Sequence, residues 1–294
     1  MKPAAFEYEA PSSLEEALAL LAQHGDEAKL LAGGQSLVPM MNFRLSQPAL
    51  LIDCNGLSEL DFIRQDASGE LRIGAMTRQR RLERDPLVHR HAPLLAETIP
   101  YVAHPQIRNR GTVGGSLAHA DPASELPVIA LARRARLRLA RAGIERWVDA
   151  SDFFVGLLAT ALEPEEMLVE IALPPMPART GWAFMEIARR HGDYAQVGVA
   201  ALVTLAADGS CEAARLVYLS VGETPMEAPR AASLLQGAAL SEERLASAAR
   251  VAASEEIDPT GDIHASQDYK RHLAQVLTLR ALGQAAERAE RRQT

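Results

Sequence analysis

The sequence predicts an α+β chain: two small α/β lobes followed by a C-terminal α+β domain with a small antiparallel sheet and helices. Three observations predict it. Two segments about eighty residues apart, Ala32-Gly33-Gly34-Gln35-Ser36 and Thr112-Val113-Gly114-Gly115-Ser116, each set paired glycines beside a hydroxyl, and the first follows a short apolar run. From Leu57 onward the pattern turns to alternating apolar and polar residues. The proline cluster Pro174-Pro175-Met176-Pro177 then punctuates the chain before two longer apolar runs and two helical stretches. The expected units are residues 1–57, 58–177 and 178–294. A chain of 294 residues accommodates them, since a domain commonly takes about 100–200 residues.

Taken in order, Ser12 or Ser13 caps a helix from Leu14 to Leu21, with Glu15 and Glu16 in the first turn where the helix dipole favours acids. Gly25 ends it. Residues 28–32 and 49–53 read as buried strands, which puts the first glycine segment at a strand end. Leu60 to Arg64 and Leu71 to Gly74 form a hairpin about the turn Asp66-Ala67-Ser68-Gly69. Helical stretches are expected over residues 81–90, 92–98 and 127–132, and strands over 137–139 and 166–173. Beyond the prolines, 195–206 and 213–221 are strands joined at Asp208-Gly209-Ser210. Helices follow over 241–255, capped by Ser241, and over 266–292, which is long and amphipathic.

Glycine turns the backbone sharply and lets its N–H groups approach a charged ligand, and a neighbouring Ser or Thr adds a hydrogen bond. Each glycine segment therefore fits a diphosphate seat, or else a tight turn that caps a helix or joins two strands. Neither is a G-x-G-x-x-G opening a helix or a G-x-x-x-x-G-K-[ST], so a Rossmann domain or P-loop finds no support.

A net charge of −7 argues against a nucleic-acid partner. Cys54 and Cys211 form no C-x-x-C and read as small buried hydrophobes in a reducing cytosol. Two thiols cannot supply the four that an ordinary iron–sulfur cluster needs. The acidic N-terminus lacks the apolar core of a signal peptide, and no run approaches ~18 uncharged apolar residues, so a soluble cytoplasmic protein is expected.

Leu30 to Met41, running on to Leu50-Leu51-Ile52-Asp53, resembles the flavin-binding segment of the medium subunits of molybdenum hydroxylases, the FAD proteins of the xanthine dehydrogenase and carbon monoxide dehydrogenase family. His104 to Pro127 is similar to that family's most recognisable block. Glu166 to Ile171, Arg189 to Ala195, and Ser266 with Tyr269-Lys270-Arg271 fit the same order, so the resemblance spans nearly the whole chain. It implies a bipartite FAD-binding domain of the vanillyl-alcohol-oxidase/PCMH type, with FAD held noncovalently.

The resemblance also implies site residues. Backbone amides of Ala32, Gly33, Gly34, Gln35, Ser36 and Leu37 would surround the FAD diphosphate. Thr112, Val113, Gly114, Gly115 and Ser116 would complete the enclosure, with hydroxyls from Thr112 and Ser116. Bulk at Gly33 or Gly114 is then expected to expel the diphosphate without unfolding the chain. Val102 and Leu168 would pack against the adenine or its ribose; by themselves they read as core. Glu125 corresponds to an acid that contacts the adenosine ribose, or is an exposed acid at a helix start. Asp121, before Pro122, forms an Asx-type turn or touches the ribityl or ribose. Tyr194 lies against the flavin ring or begins a core strand. His104, His119 and His191 are acid–base candidates or plain loop residues. The chain departs from some relatives in carrying Met185 and Glu186 where they have a lysine that reaches the flavin.

The function implied is that of an electron-transfer subunit. Two-iron two-sulfur clusters in a small partner would feed FAD here, a large molybdopterin subunit would oxidise the substrate, and the acceptor would be NAD, a quinone or another carrier. A dimer of heterotrimers is expected, with His119 to Ser124 and Arg189 to Asp193 bordering the interface. A self-contained FAD oxidase or reductase and a non-catalytic nucleotide-binding module are the alternatives.

Overall fold

The computed structural model describes residues 2–292; Met1, Gln293 and Thr294, the outermost residues of the expected first and last units, lie outside the described residues. The chain opens with β1 (Glu7–Glu9), α1 (Leu14–His24), β2 (Ala28–Leu31), α2 (Leu37–Asn42) and β3 (Leu50–Asp53). The strands form a parallel sheet in the order β1-β3-β2. Capping at α1 is reciprocal: Ser13 Oγ accepts from the Glu16 N–H, while the Glu16 carboxylate accepts from the Ser12 N–H and hydroxyl. Gly25, at φ 49°, terminates the helix. Ala17, Leu18 and Leu21 pack on Leu50 and Ile52. The expected helix and both strands are present. β1 and α2 were not foreseen, β1 because all three of its residues are exposed and leave no alternation to read.

The next segment contains β4 (Ile63–Gln65), β5 (Leu71–Gly74), α3 (Gln79–Leu82), α4 (Pro86–His91), α5 (Pro93–Thr98), α6 (Pro105–Arg108), α7 (Val113–His119), α8 (Glu125–Ala132), β6 (Arg136–Arg141), β7 (Ile144–Asp149), α9 (Ala150–Phe153), β8 (Phe154–Gly156), β9 (Ala159–Thr160) and β10 (Met167–Leu173). An antiparallel sheet runs β4-β5-β10-β6-β7, and β8 pairs with β9. The β4–β5 turn forms as expected, with Asp66 Oδ1 accepting from the Ser68 and Glu70 N–H groups. The helix expected over 81–90 is two, because Pro86 cannot continue one and instead opens the second, capped by Asp85. The second glycine segment is the first turn of α7 rather than a loop. β7 went unseen because it is an exposed edge strand.

The rest contains β11 (Thr180–Ala188), β12 (Ala195–Leu205), β13 (Cys211–Leu219), β14 (Met226–Glu227), α10 (Pro229–Ser233), α11 (Glu242–Val251) and α12 (Gln267–Arg291), with the strands antiparallel in chain order. This sheet is covered on both faces. Ala183, Val199 and Ala201 pack under Leu277, Ala281 and Ala285 of α12, while Phe184, Ala200 and Val217 pack with Leu126 and Ile129 of α8. β11 has no polar face to alternate, which hid it in the sequence. Glu97 on α5 ties the layers: its carboxylate accepts from Trp182 Nε1 at 3.1 Å, the Phe184 N–H at 3.2 Å and Arg288 Nη1 at 2.5 Å. Among the described residues, no helix is long and apolar enough to cross a membrane.

β11 lies so close to α12 that a Cβ on Gly181 would overlap the Ala285 carbonyl oxygen and the Ala289 nitrogen. Gly181→Ala is therefore expected to destabilise the chain by at least about 1–3 kcal/mol, read as a lowered urea midpoint at unchanged slope. An unchanged midpoint would show that the helix has room to move away.

Candidate functional site

A cleft of about 950 Å³ opens where the units meet. This is at the upper end of the ~300–1,000 Å³ usual for cofactor sites. Of the residues expected at the site, all but Val113 line it: Ala32 to Leu37, Val102, Thr112, Gly114, Gly115, Ser116, Asp121, Glu125, Leu168 and Tyr194. Val113 is buried in the core beside Ala75 and Leu117, and its N–H donates to the Thr77 carbonyl at 3.0 Å.

The two glycine segments work differently. Gly34 adopts φ 71°, and the N–H groups of Gly33, Gly34, Gln35, Ser36 and Leu37 donate to no other described residue. Gln35 Nε2 meanwhile donates to the Gly33 carbonyl at 2.9 Å, and the Val38 N–H to that of Gly34 at 3.1 Å. Five successive unpaired amides around a left-handed glycine form a concavity for an anion. In the second segment the amides are spent inside the protein. Val113 and Gly114 donate to the carbonyls of Thr77 and Ala75, Gly115 to Thr112 Oγ1 at 3.0 Å, and Ser116 to the Thr112 carbonyl. What α7 offers the cleft is the Ser116 hydroxyl, 3.0 Å from Ser124 Oγ, and bare glycine surface.

The glycines also serve close approach. A Cβ on Gly33 would sit 2.5 Å from the Arg110 carbonyl oxygen and 2.8 Å from Gly111 Cα, and one on Gly114 would sit 2.5 Å from Ala75 Cβ. Bulk at either position therefore collides with protein before it reaches a ligand, and the expectation of a purely local effect is corrected. Behind the first segment lies a network that the sequence did not reveal. Tyr8 Oη donates to Asp53 at 2.5 Å, Asn55 Nδ2 to the Ala32 carbonyl at 3.0 Å, and Arg78 to Asn55 Oδ1 at 2.6 Å and to the Arg110 carbonyl.

Asp121 Oδ1 accepts from the Ala123 N–H at 2.9 Å, so the Asx turn and the cleft position are both real. Glu125 begins α8, but it is buried rather than exposed, with 7 % of its surface accessible. Burial, with the Asp121 charge beside it, pushes its carboxyl up to about 7 against the opposing pull of its own N–H and of Arg108. Glu186, behind it, is raised to about 8 by burial and by Glu125, and its Oε2 has no hydrogen-bond partner among the described residues. Tyr194 is 73 % exposed on the rim of the cleft, which removes the core alternative, whereas Val102 and Leu168 are core residues with an edge in the cleft. Of the histidines, His119 lines the cleft, His104 lies where a Cβ on Gly192 would fall, and His191 stacks on Tyr101 with centroids 6.2 Å apart.

Residues 158–166 form a wall that sequence reasoning missed. Arg146 grips both Glu166 oxygens at 2.7 Å, and Glu166 accepts from the Glu163 N–H at 2.9 Å, which holds the segment beside β10. The charged Glu163-Pro164-Glu165-Glu166 turn was the available signal. The Ser266, Lys270 and Arg271 block acts at a distance. Ser266 caps α12, Lys270 pairs with Asp262 at 2.7 Å, and Arg271 holds the Ala253 and Ile257 carbonyls. Together they fix the loop that brings His264 to the cleft beside Arg189.

Residues 4–176 match the family model described as the FAD binding domain in molybdopterin dehydrogenase, and residues 182–285 match the CO dehydrogenase flavoprotein C-terminal domain. The chain is 42 % identical over 289 residues to subunit alpha of the 6-hydroxypseudooxynicotine dehydrogenase complex of Paenarthrobacter nicotinovorans, covering 98 % of this chain and 97 % of that one. It is 41 % identical over 285 residues to the carbon monoxide dehydrogenase medium chain of Hydrogenophaga pseudoflava, covering 97 % and 98 %. Among solved structures it is similar to carbon monoxide dehydrogenase from Hydrogenophaga pseudoflava, with a TM-score of 0.94 at 41 % identity over 98 % of this chain and 99 % of that one. Quinoline 2-oxidoreductase from Pseudomonas putida 86 gives 0.93 at 42 % identity, with the same coverage.

Glu125 makes stability pH-dependent in a definite direction. Its folded pKa of about 7 lies above the ordinary 4.5, so between those values the unfolded chain releases a proton that the folded chain keeps, and stability falls as pH rises through that window. Glu125→Gln lacks this loss. It is expected to match wild type near pH 4 and to exceed it by on the order of 3 kcal/mol near pH 8, measured by urea unfolding. Parallel pH profiles would remove the buried-acid assignment.

Proposed function

The chain belongs to the FAD-binding medium subunits of the molybdenum hydroxylase family, and from that premise we propose that it is the flavoprotein relay of a three-subunit dehydrogenase. The observation that carries the reading is the row of five unpaired amides, Gly33 to Leu37, turned around Gly34 in a cleft of cofactor size. Those groups fit a diphosphate, which needs several donors and no side-chain cation. When bound, the flavin supplies the redox chemistry, taking electrons from two-iron two-sulfur clusters of a small partner subunit and passing them to NAD, a quinone or another acceptor. A large molybdopterin subunit hydroxylates the substrate with water.

The chain's own residues bind and orient. Ala32 to Leu37 hold the diphosphate; Thr112, Gly114, Gly115 and Ser116 close over it with a hydroxyl and with surfaces that have no side chain. Val113 supports them from the core. Glu125, protonated over much of the neutral range, both donates to and accepts from a ribose hydroxyl. Val102 and Leu168 flank the adenosine, Asp121 borders the ribityl or ribose, and Tyr194 lies against the isoalloxazine. We divide the chain into residues 1–57 and 58–177, the two FAD lobes, and 178–294, the C-terminal domain. The segments His119 to Ser124 and Arg189 to Asp193 border the partner interface in a dimer of heterotrimers. Cys54 and Cys211, both buried and unpaired, suit a reducing cytoplasm.

The purified full-length chain is expected to be yellow, to hold FAD near one equivalent, and to turn over no organic substrate. Turnover by protein free of molybdenum and iron would overturn the subunit reading. Tyr194→Ala should raise the fluorescence of bound flavin, because a stacked ring quenches it, while the exposed phenol leaves the unfolding midpoint nearly unchanged. A large loss of stability with unaltered fluorescence would move Tyr194 out of the site.

A further inference from the structure

We infer that Ser220, which does not itself line the cleft, is a positioning residue that clips two of its rims together; the inference rests on the FAD reading above. Ser220 follows β13 and adopts φ 61°, a conformation that L residues other than Asn and Asp seldom take. Its N–H reaches across to the preceding unit and its hydroxyl reaches the start of β12 within its own. Its N–H donates to the Pro122 carbonyl at 2.9 Å, and its hydroxyl donates to the Ala195 carbonyl at 2.7 Å.

Those two acceptors are each next to a cleft residue. Pro122 follows Asp121, in the turn that leads through Ser124 to Glu125, and Ala195 follows Tyr194. One residue of the C-terminal domain thus fixes the spacing between the acidic rim and the tyrosine rim, which come from segments 73 residues apart in sequence. On its other side the tyrosine turn is braced by Gly192, at φ 88°, against the Ala103 carbonyl and the His104 ring. Losing the hydroxyl of Ser220 would leave the start of β12 paired with Ala188 of β11 but without its tie to the residue that holds Pro122. An uncommon backbone conformation persists where surrounding contacts over-determine it, and here both hydrogen bonds end on residues adjoining the walls of one site.

The test uses the full-length chain and FAD. Ser220→Ala and Ser220→Gly both remove the hydroxyl, but only the glycine relaxes the backbone; Ser220→Thr returns a hydroxyl. Loss of one hydrogen bond corresponds to a roughly 2- to 10-fold change in an equilibrium. The Ala and Gly variants are both expected to bind FAD weaker by about that factor and to raise the fluorescence of bound flavin, with Thr moving both readouts back toward wild type. In a Tyr194→Ala background, Ser220→Ala should add nothing further to the fluorescence. Circular dichroism of the apo-proteins checks folding; should the Ala variant not fold, the relaxed Gly variant carries the comparison. Wild-type affinity and fluorescence in folded Ser220→Ala, or full recovery in Ser220→Gly, would overturn the positioning role. Wild-type protein that takes up no FAD would overturn the cofactor reading instead.

Discussion

Everything in the cleft depends on one backbone contact, the approach of Gly33 to Arg110 and Gly111. At that point the segment that follows β2 and the link between α6 and α7 come near enough that no side chain fits between them. The contact is held from behind by Arg78, which reaches both the Arg110 carbonyl and Asn55, and by Asn55, which holds the Ala32 carbonyl. Because the segment is fixed from that side, its amides remain on the other. A half-buried N–H without a partner is costly, so a row of five is a local cost that the fold carries beside the cleft.

The C-terminal domain does more than extend the chain. Its sheet is covered by α12 on one face and α8 on the other, and the helix that begins with Glu125 lies in a single core that joins Phe184, Ala200 and Val217 of this sheet to Ile73, Leu137 and Leu168 of the preceding one. Glu97 repeats the arrangement at the far end, where one carboxylate satisfies Trp182, Phe184 and Arg288 from strand and helix. Glu125 is buried and Glu186 half-buried beside it, and desolvation raises both carboxyls well above the ordinary carboxylate range.

The parts of this structure that were legible in the sequence share a property: their signal is local. The cap at Ser13, the turn at Asp66 to Gly69 and the glycine pairs each announce themselves within a few residues. β1 and β7 did not, because exposed edge strands carry no alternation, and β11 did not, because both of its faces are covered. The site divides in the same way. The amide row at residues 33–37 could be read from its glycines, whereas the second segment looked like another amide donor and is instead a helix start whose N–H groups are already bonded. Whether Glu125 was exposed and whether Tyr194 was core depended on packing by segments far away in the chain, which no local pattern encodes. The wall at residues 158–166 depends on an arginine twelve or more residues upstream, and the network behind Gly33 joins residues 8, 53, 55, 78 and 110.

The walls of the cleft are drawn from residue 21 to residue 264. During synthesis the amide row is made first, yet Asp193 and Tyr194 emerge only after about 160 further residues, His264 later still, and α12, which fixes the His264 loop through Lys270 and Arg271, emerges last of all. A fragment ending before residue 264 therefore lacks His264 of the cleft wall, and lacks the helix that fixes its loop. The cleft is thus a property of nearly the whole chain: no single sheet of the fold encloses it, and its last wall residue is held by the helix that is made last.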